Sequence, residues 1–197
     1  MDKIKIIGRR FFVSPIARLF MKFRVHPNVI TISSLLFAVL AFFIYRQGKF
    51  WLGGIFCFLS GIFDAFDGEV ARKRNIVSKF GAFLDSTVDR INEFLVYLGM
   101  FFYYFGRQNY VLTWVLIAVF GSLMVSYTRA RAEGMGISPQ VGIFERFARL
   151  TILILGSFFG PRIMIYIIAV LAVGTLLTMI HRMIYVLISS NKSDVNP

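Results

Sequence analysis

The sequence predicts an all-α integral membrane protein, with six transmembrane helices preceded by an amphipathic juxtamembrane helix, and three observations predict it. Of the 197 residues, 57% are hydrophobic and only 16% are charged, whereas soluble domains carry about a quarter charged residues. The apolar residues come in long runs with short polar breaks, and the mean hydropathy is +0.72. The basic residues gather in alternate connections between those runs, the pattern that a cytoplasmic membrane face selects. That last point explains a net charge of +12 without nucleic acid, which is not an expected partner.

Residues 1–26 interleave Lys3, Lys5, Arg9, Arg10, Arg18, Lys22 and Arg24 with Ile4, Ile7, Phe11, Phe12, Leu19 and Phe23. Such a segment is expected to lie in the interface on the cytoplasmic side, its cations near anionic head groups and Pro15 bending it. It does not read as a signal peptide, because no continuous apolar core with a small-residue cleavage site follows. Residues 27–190 form the six-helix domain, with spans at 28–45, 51–73, 82–105, 110–132, 143–159 and 162–189. Each span approaches or exceeds the ~20 residues that cross the hydrocarbon, the fifth being the shortest. The very short connections at 46–50, 106–109 and 160–161 force neighbouring helices to run antiparallel. Residues 191–197 are a polar C-terminal tail.

Seventeen Lys and Arg lie at one end of the spans and four (Arg46, Lys49, Arg107 and Arg162) at the other. A multi-pass protein of the cell membrane with both termini in the cytoplasm is therefore expected. Cys57 stands alone in an apolar run and reads as a buried thiol. Trp51, Trp114, Tyr103 and Tyr104 read as interfacial aromatics, and His26 and His181 as interfacial or packing residues.

Only 10 residues are acidic, and six of them fall between 64 and 93: Asp64, Asp67, Glu69, Asp85, Asp89 and Glu93. They are attached to two apolar helices, where a charge at the bilayer centre costs about 2.5–3.5 kcal/mol on insertion scales. Asp64, Asp67, Gly68 and Ala71 share one face of the second span; Gly81, Asp85 and Asp89 share one face of the third. The connection at 74–81 joins these helices on the cytoplasmic side, so the two faces can meet there. Converging carboxylates repel unless a cation neutralises them, and oxygen donors without His or Cys favour Mg²⁺ or Mn²⁺. Glu69 and Glu93 are expected to pair with nearby cations such as Lys73 and Arg90.

Read together, the run is Asp64-x2-Asp67-Gly68-x2-Ala71-Arg72-x8-Gly81-x3-Asp85-x3-Asp89. It resembles the motif of the CDP-alcohol phosphotransferase family at all eight fixed positions, and the six-span layout extends the resemblance over nearly the whole chain. The resemblance implies two divalent cations, Mg²⁺ or Mn²⁺, held by Asp64, Asp67, Asp85 and Asp89, with Asp89 also the general base. It implies a donor, CDP-diacylglycerol or CDP-archaeol, bound by Asn28, Thr31, Asp64, Asp67, Gly68, Ala71, Arg72 and Gly81. Pro27-Asn28 and Thr31 resemble the family's Pro-Asn-x-x-Thr segment, although Asn and Thr are also ordinary helix caps. A homodimer in membrane lipid is implied as well.

Arg129, Arg131, Arg146 and Arg149 lie at the same membrane face as the aspartates, and guanidinium groups suit a phosphate-bearing acceptor. The runs at 126–134 and 142–150 resemble the bacterial and archaeal branch of the family whose acceptor is inositol 1-phosphate. By that resemblance Ser126, Arg129, Arg131, Arg149 and Arg182 hold the acceptor, with Arg146 beside them. Phe144 and Phe147 stand where that branch has smaller residues or Pro, so the acceptor pocket is expected to differ in shape. The alternatives are glycerol 3-phosphate as acceptor, a cation transporter whose aspartates form an ion path, and a CDP-binding scaffold without turnover.

Overall fold

The computed structural model describes residues 26–195, and residues 1–25 of the predicted juxtamembrane segment lie outside them. Among the described residues there are six helices and no strand. They are α1 (Pro27–Arg46), α2 (Phe50–Lys73), α3 (Lys79–Tyr104), α4 (Tyr110–Glu133), α5 (Arg146–Ser157) and α6 (Gly160–Val195). Four of them, α1, α2, α4 and α6, are long and apolar enough to cross a membrane, with mean hydropathies of 2.1, 1.4, 1.9 and 2.6. α3 has the length, at 26 residues, but Asp85, Asp89, Arg90 and Glu93 lower its hydropathy. α5 has only 12 residues, a length of ~18 Å at 1.5 Å per residue.

The expected span at 143–159 is thus shortened at its start. Residues 137–145 are irregular, and Gly142 adopts a φ of +101, which an L side chain rarely tolerates. The Phe144 amide then donates to Thr178 Oγ1 at 3.3 Å, tying the segment to α6. At the other end α6 runs on to Val195, so the tail expected from 191 begins as helix.

Local sequence accounts for the helix starts beside the acidic residues. Pro27 takes the first helical position of α1, where its missing N–H costs nothing, and the His26 side chain accepts from the Asn28 amide. Ser78 caps α3 by accepting from the Gly81 amide at 2.9 Å.

α1 lies between α2 and α3 and packs along both, while α2 and α3 scarcely touch; α4 packs on α6, and α5 on α2 and α6. The approach of α1 to α3 is backbone-close at Gly99, where a Cβ would stand 2.6 Å from the Phe42 carbonyl oxygen. The main core, with Tyr45, Phe50, Cys57, Tyr97, Met100, Tyr104 and Leu153, fills the inside of the bundle. Tyr104 is 1% exposed and donates to the Pro161 carbonyl at 2.6 Å, so it is a core residue and not an interfacial one. Burial of its ring with a satisfied hydroxyl outweighs its position near a helix end. Outward faces carry exposed apolar side chains such as Leu36, Phe43, Phe120, Tyr166 and Leu177, the surface that lipid covers in a multi-pass membrane protein.

Candidate active site

The two acidic helix faces meet at the C-terminal end of α2 and the N-terminal end of α3, with α1 as the third wall. One carboxylate oxygen each from Asp64, Asp67 and Asp85 lies within 4.8 Å of the others. Asp67 is held by the Thr31 hydroxyl, which donates to its Oδ2. Behind it a buried polar chain runs through α1: the Ser34 hydroxyl donates to the Thr31 carbonyl at 2.7 Å, and the Asn92 amide donates to Ser34 Oγ at 3.0 Å. Because α2 and α3 scarcely touch, this chain through α1 is what relates Asp67 to the helix that carries Asp89.

Asp89 stands outside the triad and joins it through Arg146. The Arg146 guanidinium donates from Nη1 to Asp64 Oδ2 at 2.8 Å. Its Nη2 is 2.5 Å from Asp89 Oδ1, an ion pair whose angle is not that of a hydrogen bond. Asp64 Oδ1 is buried and has no hydrogen-bond partner.

These residues fit divalent cations. The donors are all carboxylate oxygens, three converge, and an orphaned acceptor remains at Asp64, the chemistry that hard cations such as Mg²⁺ or Mn²⁺ accept.

A cavity of about 230 Å³ opens beside the triad. Of the residues the sequence assigns to the CDP-lipid, Asn28, Thr31, Asp67, Gly68, Ala71, Arg72 and Gly81 line it, together with Asp85; Asp64 does not. The nearest atoms a Cβ on Gly68 would meet belong to the movable Arg72 guanidinium, so the wall there can open to a ligand.

The arginines assigned to the acceptor go to different places. Arg146 sits among the aspartates, as described. Arg149 is 0% exposed and donates from Nε and Nη2 to the two Glu93 oxygens, each at 2.7 Å, and from Nη1 to the Phe144 carbonyl at 2.9 Å. That departs from the expected acceptor contact: the side chain is fully enclosed, and three of its five N–H donors are engaged inside the bundle. Arg182 is buried too and donates to the Val125 and Val141 carbonyls at 2.6 and 3.0 Å. Arg131 and Arg182 border a separate, largely apolar groove of about 660 Å³ between α4 and α6. Arg129 is exposed and pairs with Glu133 at 2.8 Å, and Ser126 is half-buried on the same helix.

Glu69 pairs with Lys73 at 3.3 Å, as expected. Glu93 pairs with Arg149 and not with Arg90, which reaches Asp89 at 3.4 Å. Sequence reasoning gave Glu93 no part in the site. A signal was present: Glu93 continues the 81-85-89 series by one more turn into the apolar helix, where an acid needs a cation. Asn92 and Ser34 offered no such signal.

The fold and site define a helical membrane protein with an oxygen-rich cation site beside a polar cavity. Residues 24–188 match the CDP-alcohol phosphatidyltransferase family, to which the chain belongs. The archaetidylinositol phosphate synthase of Methanothermobacter thermautotrophicus is 40% identical over 190 residues, covering 94% of this chain and 93% of that protein. Among solved structures, the phosphatidylinositol phosphate synthase of Mycobacterium tuberculosis with CDP-DAG bound superposes with a TM-score of 0.81 at 31% identity, covering 89% of this chain and 93% of that one. The same synthase in complex with manganese and citrate gives a TM-score of 0.82 at 30% identity, covering 89% and 88% of the two chains. This chain is accordingly a membrane-embedded transferase of phospholipid biosynthesis.

Proposed function

We propose that this protein transfers a phosphatidyl-type group from CDP-diacylglycerol or CDP-archaeol to a hydroxyl of inositol 1-phosphate, releasing CMP. The observation that carries the reading is the single cavity where Asn28, Thr31, Gly68, Ala71, Arg72 and Gly81 surround the inner carboxylates of Asp67 and Asp85. The acceptor is argued from the resemblance to the two inositol phosphate synthases.

Two divalent cations, Mg²⁺ or Mn²⁺, on Asp64, Asp67, Asp85 and Asp89 would supply Lewis-acid stabilisation of the charge left on the departing CMP. The protein's own groups do the rest. The small residues Gly68, Ala71 and Gly81 let the cytidine end of the donor approach α2 and α3 closely, and Arg72 holds a phosphate by charge-assisted hydrogen bonds. Asp89 accepts the proton of the acceptor hydroxyl as its oxygen attacks the lipid-bearing phosphorus; the bond from that phosphorus to the CMP oxygen breaks. Ser126, Arg129, Arg131 and Arg182 are the residues on the acceptor's phosphate side, with Arg146 on the aspartates themselves. Arg149, assigned to the acceptor from the sequence, serves from behind through its pair with Glu93.

All six helices lie in the cell membrane in this reading, with both termini and the site on the cytoplasmic side and the working unit a homodimer. The excess of Lys and Arg at one end of the helices supports the orientation. Clustering of the aspartates at that end, with none strung through the membrane depth, argues against an ion path.

The test is CMP release by purified protein with Mg²⁺ or Mn²⁺, given inositol 1-phosphate, glycerol 3-phosphate, serine or free inositol side by side. Release with inositol 1-phosphate alone, abolished by EDTA and restored by Mn²⁺, is expected. Release only with glycerol 3-phosphate overturns the acceptor, and no release with any acceptor overturns the reaction.

A further inference from the structure

Two ion pairs join α3 to α5 one helical turn apart. On α3, Asp89 and Glu93 are four residues apart on one face; on α5, Arg146 and Arg149 occupy the first turn. Arg146 meets Asp89 and Asp64, and Arg149 meets Glu93. The rungs differ in character. The Arg146 side chain keeps 24% exposure at the site, whereas the Arg149 and Glu93 side chains are 0% and 6% exposed and meet through two parallel hydrogen bonds of 2.7 Å.

A bidentate fork fixes distance and rotation together, which a single contact on a long side chain does not. α5 is short, starts without a side-chain cap and packs on α2 and α6. Its registration against α3 at the site therefore falls to the inner rung, which also clamps the Phe144 carbonyl just before the helix.

We propose that the buried Glu93–Arg149 pair is a positioning strut for the reaction. It sets α5 against α3 so that Arg146 spans Asp64 and Asp89, making Glu93 and Arg149 positioning residues that act through Arg146. The inference rests on the reading of the aspartates as divalent-cation ligands. A cation held against two of those carboxylates opposes metal charge and steadies Asp89 at once. Loosening the strut therefore tightens metal binding while slowing transfer, two opposite shifts that a simple loss of folded protein does not produce.

The experiment is a double-mutant cycle on the full chain in detergent, comparing wild type, Glu93→Asp, Arg146→Gln and the double variant. Mn²⁺ binding is measured by calorimetry and CMP release in parallel. Glu93→Asp keeps the charge and shortens the reach by one methylene; Arg149→Lys, which keeps the charge and removes the fork, loosens the same rung if Glu93→Asp folds poorly. Arg146→Gln is expected to lower the Mn²⁺ dissociation constant roughly tenfold by removing a like charge. CMP release should fall at least about tenfold through loss of geometry at Asp89. Glu93→Asp should move both quantities in the same directions by roughly threefold, and should add nothing on the Arg146→Gln background.

Glu93→Asp and Arg149→Lys effects that multiply fully onto Arg146→Gln, or a fall in melting temperature with both quantities unchanged, overturn the strut. Wild-type protein that binds no Mn²⁺ overturns the carboxylate reading itself, and the strut with it.

Discussion

The acidic and the basic halves of this site are built by opposite means. The aspartates repeat at helical spacing on two consecutive helices, so that local geometry alone puts Asp64 with Asp67 and Asp85 with Asp89 on shared faces. The arginines are scattered over α4, α5 and α6, and the structure sends each to a different partner: Arg129 to Glu133 at the surface, Arg146 to Asp64 and Asp89, Arg149 to Glu93, Arg182 to backbone carbonyls. One residue type at one end of the bundle thus performs four jobs. Charge at a membrane face tells where a residue is; the partner it meets tells what it does.

Breaking the acidic half should have the largest effect on activity. Asp89→Asn leaves the shape and removes the proposed base, and CMP release is expected to fall by about 10²–10⁴ in steady-state assays. Breaking the basic half at its most buried point should have the largest effect on stability. Arg149→Met leaves Glu93 buried and unpaired, which costs about 3–5 kcal/mol and should show as an early unfolding transition in a detergent-solubilised melt. Thr31→Val removes the hydroxyl that holds Asp67 Oδ2; a loss of about 1–1.5 kcal/mol, roughly tenfold in transfer rate, is expected. At the small end stands Arg129→Ala. Its pair with Glu133 is exposed on both sides, so stability should change by less than about 1 kcal/mol while the KM for a phosphorylated acceptor rises. If Arg129→Ala proved as destabilising as Arg149→Met, the contrast between surface and buried arginines would collapse.

Much of the fold was legible in the chain itself. The spans expected at 51–73, 82–105 and 110–132 match α2, α3 and α4 to within three residues at either end, because long apolar runs with polar breaks leave little else for the backbone to do. The start of α5 was less legible. Its apolar character begins before its helix does, and the irregular 138–142 segment with the φ of +101 at Gly142 is accompanied by contacts such as that of Phe144 with Thr178, 34 residues away. Glu93 illustrates the same limit within the site. Its neighbour in sequence, Arg90, was the obvious partner, but one helix offers few geometries and α5 supplied a better fork.

What the sequence determined by itself is an acidic cluster: four aspartates whose spacing on two helices at one end of the bundle admits few arrangements, and whose mutual repulsion favours a neutralising cation. Tertiary structure alone decided how α1 separates the two acidic helices and links them through Thr31, Ser34 and Asn92, and which arginine faces which acid. The physical reason is range. Helical periodicity and hydropathy act over a few residues, whereas Glu93 and Arg149 are 56 residues apart and meet only when four helices have packed.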